Sequence, residues 1–288
     1  KNTFTFEEAK NIYLESSKLD ESFYNFSKIM LEEGRVDVYP KTGKSGGAFC
    51  ANFCRISPVY VLLNFTGKLR DVTTLAHEFG HAINFELAKK NSELNYGVST
   101  FVAEVASTFM EDVTGKYLEQ SLNENDRLAY MMDKLNGTIS TIFRQIACYE
   151  FEMDLHTKYK GKSFLSNSDI GELFSKAMKS YTGPAVKFSP GSENWWVYWS
   201  HIRSFFYVYS YAGGELIAKA LSAKLTKDPT FIKQIKAFYE AGLDKSPKDI
   251  FSEMGLDITN ENFWEEGIQQ IIEDLNSAET LAKKLGKI

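Results

Sequence analysis

His77, Glu78 and His81, in the run His77-Glu78-Phe79-Gly80-His81, have the types and spacing for metal-assisted hydrolysis. On a helix, residues four apart lie about one turn apart on the same face, so both imidazoles can aim a nitrogen at one cation. Glu78 follows the first histidine and is rotated from it by roughly 100°. That direction suits a carboxylate that contacts an activated water rather than the metal. Two of the four histidines in the chain fall in this pattern. The bland alternative is a helix that carries His, Glu and His by coincidence, and the neighbouring residues weigh against it. Val72, Leu75, Ala76, Phe79, Ala82, Ile83 and Phe85 make the helix apolar on most sides, which predicts burial. Buried polar groups need partners, and a metal supplies one.

A catalytic zinc takes three protein ligands and keeps one position open. One continuation of the motif, H-x-x-G-x-x-H, is excluded because Asn84 and Leu87 stand where it needs glycine and histidine. Glu86 lies roughly 180° around the helix from His77 and points away. Glu104 is better placed, as a lone carboxylate in the apolar stretch Phe101 to Met110, beyond a connecting loop. A buried carboxylate calls for a cation. Glu111, two turns further on the same face, is either a group that orients a metal-bound histidine or an ordinary exposed glutamate.

These side chains need elements to hold them. Phe6 to Glu33 has helical apolar spacing and stops at Gly34, which predicts a helix over 6–33. The stretches 36–39, 48–53 and 59–65 are short and rich in β-branched or aromatic residues, with Pro40, Gly43 to Gly47 and Pro58 between them. They predict a small antiparallel sheet within 36–66. The glycine-rich turn does not have the order of a phosphate-binding loop. From Asp71, a residue suited to capping, the pattern turns helical, with zinc-binding helices expected over 71–90 and 98–118 and a helical remainder. The expected fold class is mainly α with a small antiparallel β-sheet, as one domain over 1–288.

Composition sets further bounds. The chain has 288 residues, 43% of them hydrophobic, enough for a substantial core. A net charge of -5 without a basic cluster argues against nucleic acid as a partner. Apolar runs such as Val59 to Leu63 are too short to span a bilayer, so no membrane partner is expected. Cys50, Cys54 and Cys148 lack paired metal or redox spacing and are read as reduced, which points to a cytoplasmic location.

Late in the chain, His201, Tyr207, Tyr209 and Tyr211 lie in an aromatic block that begins at Trp195. The helical pattern of Ala212 to Leu225 extends back to predict a helix from about Ser204. Tyr207 and Tyr211 then share one face and Tyr209 another. A core stripe is the plain alternative.

Three segments together carry a family resemblance. Leu69 to Ala82, Phe101 to Asp112 and His201 to Leu216, with Asn64-Phe65-Thr66-Gly67 before them, resemble the catalytic region of oligoendopeptidase F and its thimet-oligopeptidase relatives. The resemblance implies a zincin-type, thermolysin-like catalytic domain with one Zn2+ per chain and His77, His81 and Glu104 as ligands. It implies Glu78 as general base to a zinc-activated water, and His201, Tyr207 and Tyr211 as donors to the peptide carbonyl. Short unstructured oligopeptides are the implied substrates, admitted to a deep channel. Gly46, Gly47, Ala48 and Phe49 are candidates to bind them by strand addition to a sheet edge. Members of that family are longer, with a helical N-terminal half that walls the channel, so this chain is expected to hold only the catalytic half. A catalytically impaired fragment, a noncatalytic zinc- or peptide-binding module of the same fold and an exopeptidase are the competing expectations.

Overall fold

The computed structural model describes residues 3–288. Its first helix, α1 (Phe6–Ser17), starts at a capping box in which the Thr5 hydroxyl accepts from Glu8 N and the Glu8 carboxylate accepts from Thr5 N at 2.8 Å. The single helix expected over 6–33 is instead two, α1 and α2 (Glu21–Glu32). Asp20 makes the break: its carboxylate accepts from the backbone N–H groups of Ser22 and Phe23 and caps α2.

Three short strands follow, β1 (Val36–Asp37), β2 (Phe49–Ala51) and β3 (Tyr60–Leu62), in the sheet order β1-β3-β2. The antiparallel sheet expected from the sequence is corrected to a mixed one. Consecutive β2 and β3 pair antiparallel, with Cys50 opposite Val61, whereas β1 pairs parallel with β3, with Val36 opposite the same Val61. Strand β2 doubles the chain back on one side of β3, so β3 runs in the direction of β1 and their pairing is parallel. Asn64 secures the turn before β2 by donating from Nδ2 to Ser45 O (2.9 Å) and Gly47 O (2.8 Å). Gly47 has φ 76, a left-handed conformation that disfavours any side chain.

Helix α3 (Leu69–Ala88) begins two residues before Asp71, with Lys68 at the cap. Asp71 still does the capping chemistry from inside the first turn, accepting from Thr66 N at 2.7 Å and Lys68 N at 3.0 Å. The second helix expected over 98–118 is a 3-10 turn, Thr100–Val102, followed by α4 (Val105–Glu119), which leaves Glu104 at the α4 N-cap. Helices α5 (Glu124–Ile139), α6 (Gln145–Lys162), α7 (Asn167–Thr182), α8 (Tyr209–Lys227), α9 (Ile232–Glu240), α10 (Pro247–Glu253) and α11 (Glu261–Lys284) complete the chain. The helix expected from Ser204 starts only at Tyr209. Phe205 and Phe206 have φ 46 and 61, and two left-handed residues cannot continue a right-handed helix.

The described residues group into two compact units, one reaching to Leu135 and resuming at Gly214, the other Asn136–Gly213. In the first, the sheet, α1 to α4, the later part of α8 and α9 to α11 share a core. Tyr13 packs on Phe79 with ring centroids 4.8 Å apart, and Phe23 on Tyr239 at 4.9 Å, all four fully buried. Beneath α4 lies a buried ion network: Asp112 Oδ1 accepts from Lys219 Nζ at 2.8 Å and pairs with Lys134 Nζ at 3.0 Å, while Asp274 lies 3.3 Å from Lys219. Burial opposes the Asp112 charge, but Lys134, Lys219 and Lys116 outweigh it and hold its carboxyl well below the usual carboxylate range. The second unit has its own core, in which Phe151 of α6 meets Phe174 of α7 edge to face at 5.3 Å. Among the described residues no helix is long and apolar enough to cross a membrane.

Candidate active site

Close approach of α3 and α4 builds the site. A Cβ on Gly80 would stand 2.6 Å from both Ala106 O and Ser107 Cα, so only glycine at this place in the motif lets the start of α4 settle on α3. On the other side, a Cβ on Gly214 of α8 would lie 2.7 Å from Glu104 Cβ. Tyr239 fixes the same turn by donating from its hydroxyl to Ala106 O at 2.7 Å. Glu104 does not use its side chain to cap α4. Its buried carboxylate turns to the histidines instead, with Oε2 3.4 Å from His77 Nε2 and 3.6 Å from His81 Nε2.

The donor atoms of His77, His81 and Glu104 all lie within 4.8 Å of one another. Ligands about 2.0 to 2.2 Å from a tetrahedral zinc stand roughly 3.3 Å apart, so two imidazole nitrogens and a carboxylate oxygen at these separations fit such an ion. Glu111 extends the set: His77 donates from Nδ1 to Glu111 Oε2 at 3.0 Å, which leaves Nε2 facing Glu104. The sequence left Glu111 between an orienting role and plain exposure; the structure places its carboxylate against the His77 ring with the side chain still partly exposed. Burial alone would lower the His77 pKa, but the Glu104 and Glu111 carboxylates outweigh it and push it up to about 10. The same histidines draw the Glu104 carboxyl far below its usual range against the effect of burial.

Glu78 is buried beside this set, 6% exposed. Burial raises its carboxyl above the ordinary value, with His77 and His81 pulling the other way. Strand β2 packs against α3, and the Cys50 thiol is driven up first by burial and then by the nearby Glu78 charge. Among the described residues no strand pairs with the outer edge of β2, where Phe49 is partly exposed and Gly46, Gly47 and Ala48 lead in. Glu86 points elsewhere and pairs with Lys89.

In the second unit His201, Tyr207 and Tyr211 come together. Tyr211 Oη and His201 Nε2 share a hydrogen bond of 2.9 Å, and Tyr207 stacks on the His201 ring at 5.7 Å and meets Tyr211 at 5.5 Å. Tyr209 faces away and packs on Tyr149. Sequence reasoning missed Gly80, Tyr239 and Ser107, whose hydroxyl donates to Glu104 O at 3.0 Å. The glycine was visible inside the motif, three residues after His77, as a small residue on a helix destined for burial. Nothing in the sequence marks Tyr239, which reaches α4 across 133 residues.

Two imidazoles and a carboxylate, with a buried glutamate on the helix of the histidines, make a donor set that could hold a divalent metal ion. The chain belongs to peptidase family M3, whose model matches residues 3–270. It is 33% identical to oligopeptidase PepF of Bacillus subtilis over 98% of this chain and 42% of that protein. An oligoendopeptidase F homolog of Borreliella burgdorferi is 35% identical over 80% of this chain and 40% of its own length. The chain thus spans about two fifths of the length of these relatives. Among solved structures, a putative peptidase from Chlamydophila abortus superposes with TM-score 0.80 at 26% identity, covering 97% of this chain and 48% of that one.

Proposed function

We propose that this chain carries the catalytic centre of a zinc-dependent endopeptidase that hydrolyses short unstructured oligopeptides. The observation that carries the proposal is the convergence of His77 Nε2 and His81 Nε2 on Glu104 Oε2 beside buried Glu78, in a chain of family M3. His77, His81 and Glu104 would hold one zinc ion per chain, and Glu111 would keep the His77 ring in its ligating tautomer. Bound there, zinc would supply Lewis acidity, which brings the pKa of water from 15.7 to about 7 and polarises a carbonyl.

Glu78 takes the proton of the attacking water on a carboxylate oxygen and returns it to the departing amine nitrogen. Burial of its carboxyl favours the protonated form. His201, Tyr207 and Tyr211 are assigned as donors to the carbonyl oxygen by family likeness, and neutral phenol and imidazole groups suit such a role. The open edge of β2, entered through Gly46, Gly47, Ala48 and Phe49, offers backbone groups that would pair an extended peptide and hold its scissile bond in line with Glu78. We extend the proposal to a thermolysin-like zincin domain over 1–288 and to the cytoplasm, where the free thiols of Cys50, Cys54 and Cys148 would stay reduced.

The test is cleavage of an internally quenched peptide with blocked ends by the wild type and by Glu78→Gln, with zinc measured in both. Glu78→Gln is expected to keep its zinc and lose turnover by about 10²- to 10⁴-fold. Equal turnover in the two proteins would remove Glu78 from the mechanism. Cleavage confined to peptides with a free end would replace the endopeptidase by an exopeptidase.

A further inference from the structure

The turn between His201 and Tyr211 is strained, and a buried carboxylate outside the proposed machinery holds it. Phe205 and Phe206 are adjacent non-glycine residues in the left-handed region, with φ 46 and 61. Such a conformation persists only where its surroundings over-determine it. One face of α6 supplies them. Tyr149, Glu152 and His156 lie at helical spacing along that face. Glu152 is fully buried, and its Oε1 accepts from Phe206 N at 2.8 Å. The Phe206 ring packs between Tyr149, at 5.6 Å, and His156, at 5.3 Å. Phe205 is 84% exposed, so little besides the Phe206 anchor holds this end of the turn. Glu152 Oε2 has no hydrogen-bond partner. A carboxylate half-paired in a core is unfavourable for stability alone, where an apolar side chain would serve better.

We infer that Glu152 is a positioning residue. Its carboxylate clamps the Phe205–Phe206 turn in the left-handed conformation, and the clamp sets the grouping of His201, Tyr207 and Tyr211. Phe206 faces α6, and its neighbour Tyr207 is thereby delivered to His201. Without an acceptor for Phe206 N–H, the two residues relax to negative φ and the His201–Tyr211 hydrogen bond is lost. For catalysis the inference rests on the peptidase assignment above; for structure it stands by itself.

The experiment compares wild type, Glu152→Met, Glu152→Gln and Glu152→Met/Phe205→Gly, following blocked-peptide cleavage, zinc content and the NMR signals of the His201 ring. Glu152→Met keeps length and removes the acceptor; it is expected to lower kcat by about tenfold or more, since small misplacements have effects of this order. KM and zinc content should stay near wild type, and the His201 signals should move. Glu152→Gln keeps an acceptor oxygen and should retain activity within about threefold, in line with the modest difference between charged and neutral acceptors. Phe205→Gly removes strain from an exposed position and should recover part of the loss, which general core damage would not allow. Unchanged His201 signals in Glu152→Met would overturn the inference, as would a loss that Glu152→Gln shares in full. If the wild type cleaves nothing, the peptidase assignment fails and the His201 signals alone decide the clamp. If Glu152→Met does not fold, Glu152→Asp, with its acceptor drawn back by one methylene, takes its place under the same criteria.

Discussion

His77, Glu78 and His81 stand on a helix of 20 unbroken residues, whereas His201, Tyr207 and Tyr211 are spread over a 3-10 turn, two left-handed phenylalanines and the start of α8. In the first region the helical repeat converts sequence spacing into direction, and the donors meet where spacing says they meet. In the second, direction is set by backbone strain and by a hydrogen bond that Phe206 N donates to Glu152, 54 residues away. Periodicity is a guide to chemistry only where the backbone repeats; elsewhere the same residue types carry no readable geometry.

The comparison breaks first at the support beneath α4. Asp112 is buried with Lys219 and also pairs with the partly buried Lys134, and removing one member of such a pair leaves an uncompensated charge. Asp112→Asn is expected to destabilise the protein by about 3 to 5 kcal/mol at neutral pH, read from denaturant unfolding. Asp112 has a folded-state pKa below its unfolded value, near 3.9, so its contribution is complete above that pH and is lost as pH falls further. The gap between wild type and variant should therefore be constant from pH 7 to about 5 and shrink below about pH 4. A gap that widens on acidification would show that the Asp112 charge is not what stabilises α4.

On the irregular side, Tyr211→Phe removes the hydroxyl bonded to His201 and should lower peptide turnover by about 10²- to 10³-fold with zinc unchanged, the effect of deleting one carbonyl-oxygen donor. An unaltered rate would return Tyr211 to packing. The smallest expected effect lies behind His77. Glu111→Gln weakens the hydrogen bond that sets the ring and should reduce zinc affinity by about 10- to 100-fold, measured against a competing chelator. Equal affinity would make Glu111 a surface carboxylate that touches a histidine without tuning it.

Much of the first region was legible in the residues. The apolar surround of His77 and His81 foretold a buried helix, and Glu104, a lone carboxylate in an apolar stretch, lies buried and turned toward the two histidines. What stayed hidden depends on contacts distant in sequence or on departures from regular backbone. Glu104 is a helix cap and not an interior residue, because the 3-10 turn at Thr100–Val102 delays α4. Asp20 splits a helix that apolar spacing alone carries straight through, since spacing records faces and not caps. The parallel pairing of β1 with β3 is a property of topology that three short apolar runs cannot express. Gly80 was in plain view, but its meaning needs the partner helix that it admits to within contact.

The central claim is that His77, His81 and Glu104 form one metal site. Zinc content after exhaustive dialysis, for wild type and Glu104→Ala at equal concentration, tests it most directly. The proposal predicts one zinc per chain in the wild type and nearly complete loss in the variant, with the fold retained by circular dichroism. Full zinc retention by Glu104→Ala would contradict it.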